Sequence, residues 1–411
     1  MLAMVRQREI LPDKGDQRLG APAEPAERAR PEETKEVMWM HLDQAALEDY
    51  LSRVSGAPIQ IEGINELGGG TGGAAALKAF GYGQPMCIDY RPLASGKDGS
   101  EPAEIRRVVL RRISRNSFGR ERDADRVAEV WLNFHSFNHL PRHIQAQDMV
   151  ALVDDGRLES AGHIRELLLL TDYAPGQLYA GDLTRIRDEG MCTDRDRARA
   201  EALADYLVGI HTVKHDDPLL WRRRLRDLVG HGEGIMGLTD SYPADFPLTP
   251  VEELRAIEVA ANEWRWRLKS LTGRLSQVHG DFHPFNVLFT EQNEFTLLDR
   301  SRGEWGEPAD DASCMTINYL FFSLQRYGRL AGPFENLYTA FWSHYLAGSH
   351  DDELLSVIQP WFAWRTLVLA SPQWYPSIHA DVRRRLLTFA RRVMASRRFE
   401  WRQINDYLEA A

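Results

Sequence analysis

The spacing of apolar residues predicts that the first part of the chain mixes strands with helices. Apolar positions at helical spacing follow Asp43, a residue type that caps helix starts, and alternating or continuous apolar runs typical of strands follow them. The predicted elements are a helix at 39–55, strands at 59–64 and 105–113, a helix at 123–137 and then a strand pair whose last strand is at 167–173. We therefore expect a β-rich N-lobe over residues 38–172.

Helical spacing dominates after Gly181. The predicted helices cover 200–211, 249–271, 311–327, 334–347, 353–371 and 381–395. A short β segment at 287–298 interrupts them. We therefore expect an α+β protein whose residues 173–411 form a mostly helical C-lobe. Residues 1–37, rich in proline, alanine and charge, are predicted to be a disordered or weakly structured leader.

Composition excludes several classes of protein. Hydrophobic residues make up 43% of the 411 positions, which is enough for a large core and excludes a fibrous or wholly disordered chain. Lys and Arg total 50 and Asp and Glu total 60, giving a net charge of −10. A dedicated nucleic-acid binder is normally basic, so we expect no nucleic-acid partner.

The cysteines and the chain start indicate a compartment. Cys87, Cys192 and Cys314 form no CxxC pair, which argues against a disulfide scaffold or a zinc site. No apolar run approaches the ~18 residues that span a bilayer, and charged residues interrupt the N-terminus at once. We expect a cytoplasmic protein with no membrane segment.

One motif carries most of the chemistry. In VHGDFHPFNVLF, residues 278–289, His279, Asp281 and Asn286 have the spacing of the kinase catalytic loop H-x-D-x-x-x-x-N. The predicted hairpin at 287–298 places Asn286 beside Asp299 at its open end, and an amide oxygen and a carboxylate suit Mg²⁺. Asp281 is close enough to accept a proton from a substrate hydroxyl. A buried polar turn is the alternative for any one of these residues, but the four together favour a catalytic site.

The motif and the residues after it resemble the aminoglycoside phosphotransferase and choline kinase family, the small-molecule relatives of protein kinases. The family pattern is HGDxHxxN, an aspartate after a strand, and a G-x-P-x-x-D stretch that opens a helix; here GEPADD places Asp311 at the helix opening. The segments LLLLTDYAPGQ, at 167–177, and LADYLVGIH, at 203–211, are similar to the family's adenine-binding hinge and to a helix ending in histidine. The resemblance spans roughly residues 58–330.

The resemblance implies a bilobal, protein-kinase-like fold and transfer of the γ-phosphate of ATP, with GTP as an alternative donor, to a hydroxyl of a small molecule. The acceptor would be an amino sugar, a sugar, a nucleoside or an amino alcohol. Asp281, with His279 of the same motif, would be catalytic, and Asn286 and Asp299 would hold Mg²⁺. Thr171 and Tyr173 would bind the nucleotide at the hinge. A kinase acting on protein or RNA, and a nucleotide-sensing pseudokinase, are the alternatives.

The phosphate-binding residues of the N-lobe are less clearly marked. Val108-Val109-Leu110-Arg111 aligns best with the V-A-I-K strand of kinases, which puts Arg111 at the lysine position. Lys78 is a rival, and an exposed strand arginine is the simpler alternative. Glu129 on the following helix is the expected partner of Arg111, unless it is a solvated helix charge.

A glycine run, residues 68–73, follows the first predicted strand. Gly69, Gly70 and Gly72 could let backbone amides approach nucleotide phosphates. The run is not a P-loop, because no Gly-Lys-Ser/Thr follows it. A plain flexible loop is equally compatible with it.

Candidates for acceptor contacts are weaker. Trp305, Glu307 and Asp310 follow Asp299, the metal-binding aspartate. The stretch at 360–376 carries aromatic residues, which would contact a substrate or simply pack in the core. Arg365 in the same stretch would bind an anionic group or cap a helix end. The arginine runs at 222–224 and 383–385 are expected on solvated helix faces, with RNA contact as the alternative. The sequence leaves the acceptor and the oligomeric state open.

Overall fold

The computed structural model describes residues 43–66, 83–93, 104–139, 144–165, 167, 169, 171–300 and 302–409. The predicted leader at 1–37, the glycines Gly69, Gly70 and Gly72, and Lys78 lie outside these residues. Within the described residues the chain is a mixed helical and β protein, with most strand residues in its first part. No helix among them is long and apolar enough to cross a membrane.

The predicted elements of the first part form where the sequence pattern places them, except for the last strand. Its helices are α1 (Gln44–Ser55) and α2 (Asp123–Phe137), and its first strands are β1 (Ile59–Glu66), β2 (Gly83–Pro92) and β3 (Arg106–Ile113). The three strands form one sheet in the order β1-β2-β3. The backbone N–H of Ala45 donates to Asp43 Oδ1, 3.1 Å away, so Asp43 caps α1 as expected.

The strand expected at 167–173 is not formed at the residues described there. Thr171, Asp172 and Tyr173 have no regular structure, and the side chains of Leu167 and Leu169 are 68% and 90% exposed. The apolar run predicted a strand, but both of these leucines remain in contact with water. The hinge expected from the resemblance therefore consists, where described, of irregular and exposed chain.

The chain divides into two compact units. One contains the described residues of 1–63, 89–106 and 150–161. In it α1 packs against the hairpin of β4 (Val150–Leu152) and β5 (Leu158–Ser160), and Arg53 donates to the Leu158 carbonyl at 2.7 Å. Leu47, Tyr50 and Leu51 form the buried face of α1, as helical spacing predicts.

The other unit contains 64–88, 107–149 and 162–411 and carries the large hydrophobic core. Its later helices are α3 (Tyr179–Glu189), α4 (Asp194–His211), α5 (Pro218–Gly230), α6 (Ile235–Asp240), α7 (Val251–Leu268), α8 (Pro308–Tyr327), α9 (Pro333–Ser349), α10 (Leu354–Val357), α11 (Gln359–Ala370) and α12 (Ala380–Ala395). Helix α8 is central to the core, since every residue from Pro308 to Leu324 is buried.

Helix prediction fails where local signals are weak or interrupted. The single helix expected at 353–371 is two helices, α10 and α11, and Pro360 lies at the start of α11. A proline favours the first turn of a helix and cannot continue one from the preceding turn, which explains the break. The short helices α3 and α6 were not predicted.

The arginine runs are not simply solvated faces. Arg223 pairs with Glu121, Asp125 and Asp227, and its side chain is only 12% exposed. Arg383 is buried and donates to the backbone carbonyls of Ala370, the last residue of α11, and of Tyr375. Their neighbours Arg222 and Arg384 are exposed as expected. The expected solvated face is thus wrong for Arg223, which pairs with carboxylates, and for Arg383, which donates to backbone carbonyls.

Candidate active site

The predicted catalytic motif forms a loop followed by a small hairpin. The short strands around it are β6 (Gln177–Leu178), β7 (Ser276–Gln277), β8 (Val287–Phe289), β9 (Phe295–Leu297) and β10 (Trp305–Gly306). β8 pairs with β9 in antiparallel register, and β7 pairs with β10. The loop between β7 and β8 therefore carries His279, Asp281 and Asn286 between two anchored ends.

Gly280 provides the sharp change of direction in this loop. Its φ is +84°, in the left-handed region that glycine adopts without strain. A Cβ built there would contact the Arg302 side chain at 3.4 Å. The glycine of the HGD sequence is thus required by the backbone turn that presents Asp281.

Two arginines hold one oxygen of the Asp281 carboxylate. Oδ1 accepts from Arg365 Nη1 at 2.7 Å and lies 2.6 Å from Arg302 Nη1. Oδ2 faces His283, whose Nε2 is 3.5 Å away. The carboxylate therefore has one oxygen fixed by two cations and a second oxygen with a single, longer contact.

These charges determine the ionisation of Asp281. Burial by itself would raise its pKa, but the interaction with His283 and the charges of Arg365 and Arg302 outweigh burial and hold the pKa well below its usual range. The carboxylate is consequently ionised at neutral pH and able to accept a hydrogen bond from a hydroxyl.

Arg365 comes from α11, far from the motif in sequence, and its side chain is 6% exposed. Its Nη2 donates to the Gly280 carbonyl at 2.8 Å and also to Asp310 in the first turn of α8. Sequence reasoning offered only substrate binding or helix capping for Arg365 and missed its contact with Asp281. Arg302 was missed altogether, although its position three residues after Asp299 was a possible signal.

A second carboxylate, Asp311, clamps the backbone of the catalytic loop. Its two oxygens accept from the backbone N–H groups of His279 and Gly280, both at 2.7 Å. Burial would raise the pKa of Asp311, but its interactions with His211 and His279 outweigh that effect and lower it. Asp311 lies in the first turn of α8, the helix opening at which the sequence motif places it.

His279 is placed as a support for the loop. It is buried, and its Nδ1 accepts from the Asp281 backbone N–H at 3.3 Å. His211, at the end of α4, completes the cluster through Asp311 Oδ2, 3.2 Å from its Nε2. His279, from the loop itself, and the distant residues Asp311 and His211 thus fix the position of the Asp281 backbone.

Asn286 and Asp299 lie beside one another at the open end of the hairpin, as predicted. The Asn286 carbonyl accepts from the Leu298 N–H at 2.9 Å, next to Asp299. Asn286 Nδ2 donates to the Asp281 carbonyl at 3.1 Å, which leaves its Oδ1 as the donor atom for a cation. An amide oxygen and a carboxylate at this place fit the oxygen chemistry of Mg²⁺, which takes few protein ligands together with phosphate oxygens.

The nucleotide candidates of the N-terminal part are not brought together. Arg111 is exposed on β3, and Glu129 pairs instead with Arg120, whose Nη2 donates to Oε1 at 2.7 Å. The expected ion pair between Arg111 and Glu129 is absent from the described residues. Thr171 and Tyr173 lie in the exposed, irregular segment before β6.

A cavity of about 120 Å³ lies beside the catalytic loop. Arg302 and Asp310 belong to its wall and connect it to Asp281, the first directly and the second through Arg365. Glu307, Trp361 and Trp364 also line it. Of the other acceptor candidates, Trp305 stacks on His215 at 4.5 Å and Trp374 is 59% exposed.

Comparison with known proteins assigns the family. Residues 102–350, more than half of the chain, match the model of the APH family, described as the phosphotransferase enzyme family. The chain belongs to this family of phosphotransferases. No curated protein sequence matches it significantly.

Solved structures give distant similarities. A glucosamine kinase (crystal form B) is 18% identical with a TM-score of 0.35; the match covers 57% of this chain and 59% of the kinase, less than two-thirds of it. The amicoumacin kinase hAmiN, in complex with AMP-PNP, Ca²⁺ and Ami, is 15% identical with a TM-score of 0.38 and coverage of 90% and 99%. The choline kinase LicA from Streptococcus pneumoniae is 13% identical with a TM-score of 0.31 and coverage of 86% and 98%. At these TM-scores the similarities carry no argument about activity.

Proposed function

We propose that the protein is an ATP-dependent phosphotransferase that transfers the γ-phosphate to a hydroxyl of a small molecule, such as an amino sugar, a sugar, a nucleoside or an amino alcohol. The observation that carries this proposal is the arrangement of Asp281, whose Oδ1 is fixed by two arginines and whose backbone carbonyl contacts Asn286. Membership of the phosphotransferase family supports the same reaction class.

Asp281 orients the acceptor hydroxyl and takes its proton at Oδ2. The acceptor oxygen forms a bond to the γ-phosphorus, the bond from that phosphorus to the β,γ-bridging oxygen breaks, and ADP leaves with that oxygen. Because the pKa of Asp281 is low, its main contribution is the orientation of the hydroxyl, and proton transfer follows as the new bond forms. Catalysis of this kind depends on positioning and charge neutralisation more than on covalent chemistry.

Asn286 and Asp299 would hold the magnesium ion of the nucleotide. When bound, Mg²⁺ neutralises charge on the phosphates. Both side chains lie at the open end of the hairpin of β8 and β9, which directly follows the catalytic loop. Their chemistry and their adjacency support this assignment.

The remaining nucleotide contacts are proposed from sequence. Backbone groups at Thr171 and Tyr173 would bind the base, and Gly69, Gly70 and Gly72 would cover the phosphates. Arg111 would contact the phosphates from β3 without the help of Glu129.

The proposal is tested by a thermal-shift titration with ATP and with GTP, each with and without Mg²⁺, followed by ADP-release assays on hydroxyl acceptors. We expect a Mg²⁺-dependent rise in the melting temperature, because a ligand that binds only the native state stabilises it. Asp281→Asn is expected to retain the shift and lose ADP release, whereas Asp245→Asn, at an exposed position, retains both. ADP release at the wild-type rate by Asp281→Asn would contradict the assigned role.

A nucleotide sensor without turnover is the second candidate. The pairing of Glu129 with Arg120 favours it, because the expected clamp on the phosphates is not assembled in this structure. A nucleotide shift without phosphate transfer to any hydroxyl acceptor would support the sensor.

A further inference from the structure

Arg224 on α5 is the arginine in the cavity wall whose charge is least satisfied. Its side chain is only 10% exposed. Its Nη1 donates to the Arg302 carbonyl at 2.8 Å. Its nearest carboxylates are more distant: Asp310 lies 3.7 Å from Nη2 and Asp227 lies 4.0 Å from Nη1. Among the described residues no carboxylate is within hydrogen-bond distance of this guanidinium group.

The other charged groups of the wall have closer partners. Each carboxylate there contacts a different arginine: Asp310 contacts Arg365, Glu307 contacts Arg274, Asp227 contacts Arg223 at 2.7 Å, and Glu233 contacts Arg302 at 3.3 Å. Arg122, the third arginine of the wall, pairs with Asp125 at 3.1 Å. The cavity therefore contains an incompletely paired cation and acids that are already paired.

Burial of a guanidinium group without a close anion is unfavourable. Loss of water, together with the charges of Arg122 and Arg302, lowers the pKa of Arg224 more than Asp310 and Asp227 raise it. An anion entering the cavity would supply the charge and the acceptor atoms that this side chain lacks, and a carboxylate or a phosphate can accept two guanidinium N–H groups at once.

The cavity is placed to hold a part of the acceptor other than the reacting hydroxyl. The side chain of Arg302 lies between the cavity and Asp281. Its Nη1 is 2.6 Å from the catalytic carboxylate, and its Nη2 is 3.3 Å from Glu233. The indole of Trp364 gives the wall an apolar surface under Arg302, whose Cζ lies 5.1 Å from the ring centroid. A small molecule with its hydroxyl at Asp281 can thus extend a polar group toward Arg224.

We propose that Arg224 binds an anionic group of the acceptor, a carboxylate or a phosphate ester, and so selects hydroxylated acids as substrates. This inference rests on the proposed phosphotransferase function and narrows its acceptor class. Arg224 would determine specificity and take no part in the chemical step, since it would contact the anionic group of the acceptor and not the hydroxyl at Asp281.

The first test measures anion binding without turnover. Acetate and inorganic phosphate are titrated at constant ionic strength into the nucleotide-free wild type and into Arg224→Met, Arg224→Lys and Arg222→Met, the last being an exposed control on the same helix. We expect a saturable rise in melting temperature in the wild type and in Arg222→Met, its loss in Arg224→Met and partial recovery in Arg224→Lys. The anion that gives the larger rise distinguishes carboxylate from phosphate. Equal rises in the wild type and Arg224→Met, or none in either, would overturn the inference.

The second test measures ADP release with matched acceptors: D-gluconate against D-glucose, L-homoserine against its amide, and glucose 6-phosphate against glucose. We expect the anionic member of at least one pair to be preferred, with its KM raised tenfold or more in Arg224→Met and kcat affected less. ADP release with only the neutral acceptor of each pair would support the proposed function and contradict this inference. Absence of release with every acceptor would count against the proposed function, and the anion titration would then decide the inference by itself.

Discussion

Arg365 donates hydrogen bonds from one buried guanidinium group to Asp281, Gly280 and Asp310. A planar guanidinium presents five donors in a fixed geometry, so it can hold a side chain and the backbone beside it at the same time. Its contacts with two carboxylates compensate for its removal from water. Arg365 is therefore a positioning residue that acts on the reaction through Asp281.

Replacing Arg365 with methionine should affect catalysis and stability together. Asp281 loses a partner of Oδ1 and Asp310 is left buried beside the incompletely paired Arg224, so we expect kcat to fall about 100-fold and the free energy of unfolding to fall by about 3–5 kcal/mol. ADP release and urea unfolding measure the two effects.

Arg365→Lys keeps the charge but can reach fewer of the three acceptors, so we expect intermediate values for this variant. Arg384→Met, at an exposed position, should match the wild type. Wild-type kcat in folded Arg365→Met would show that Arg302 alone positions Asp281.

Arg111, the candidate for the nucleotide phosphates, and Arg120, the partner of Glu129, give opposite expectations. Because Arg111 is the proposed phosphate contact, Arg111→Met should raise the KM for ATP about tenfold. Arg111 is exposed and Glu129 pairs with Arg120 instead, so the stability of the variant should change little. Arg120→Met should mainly lower stability, because Glu129 loses its partner. Steady-state kinetics and thermal unfolding, with Arg106→Met as the control on β3, separate the two effects. A raised KM for ATP in Arg120→Met alone would transfer the role to Arg120.

At the scale of elements, α8 connects the core to the catalytic loop. Its interior is buried from Pro308 to Leu324, and its first turn presents Asp310 and Asp311 to the loop. Acidic side chains at a helix N-terminus are favoured by the helix dipole, and Asp311 also accepts two backbone N–H groups that would otherwise be buried without partners. The position of the loop is therefore set by the packing of a whole helix.

Asp311→Asn tests this connection. The amide keeps one acceptor oxygen and presents an NH2 group to a backbone donor, so we expect a loss of about 1–3 kcal/mol in the free energy of unfolding for the N–H left unpaired. We also expect kcat to fall at least about tenfold, since Asp281 shifts with the backbone. Asp194→Asn, an exposed substitution in the first turn of α4, is the matched control. An unchanged kcat would show that the loop holds its position without this clamp.

At the scale of the whole molecule, nucleotide and metal should be linked to stability. A ligand present at 100 times its dissociation constant stabilises the native state by about 2.7 kcal/mol. Because Asn286 and Asp299 are the proposed metal ligands, the part of this stabilisation that requires Mg²⁺ should depend on them.

We therefore expect Asp299→Asn to lose most of the Mg²⁺-dependent rise in melting temperature with ATP and to keep the rise seen without Mg²⁺. Asn286→Ala should behave in the same way, and Asp245→Asn should retain the full response. Thermal unfolding with ATP, with and without Mg²⁺ or EDTA, gives the comparison. A full Mg²⁺ response in both variants would exclude these residues as the metal ligands.

The sequence alone predicted the elements and residues whose positions depend on near neighbours. The hairpin after Asn286 follows from a few apolar residues and a turn, so the adjacency of Asn286 and Asp299 was predictable. The capped start of α1 and the place of Asp311 in the first turn of α8 were predictable for the same reason. Family membership was also predicted, because the motif keeps its spacing.

Only the tertiary structure decided which distant residues meet. Arg365 lies 84 positions from Asp281, and no local pattern distinguishes an arginine that faces the catalytic carboxylate from one that faces water. The same limit applies to Glu129, which pairs with Arg120, and to Arg223 and Arg224, which turn inward from α5. Local spacing fixes secondary structure and motif geometry, whereas the partner of a long charged side chain depends on which helices pack beside it and how much water they exclude.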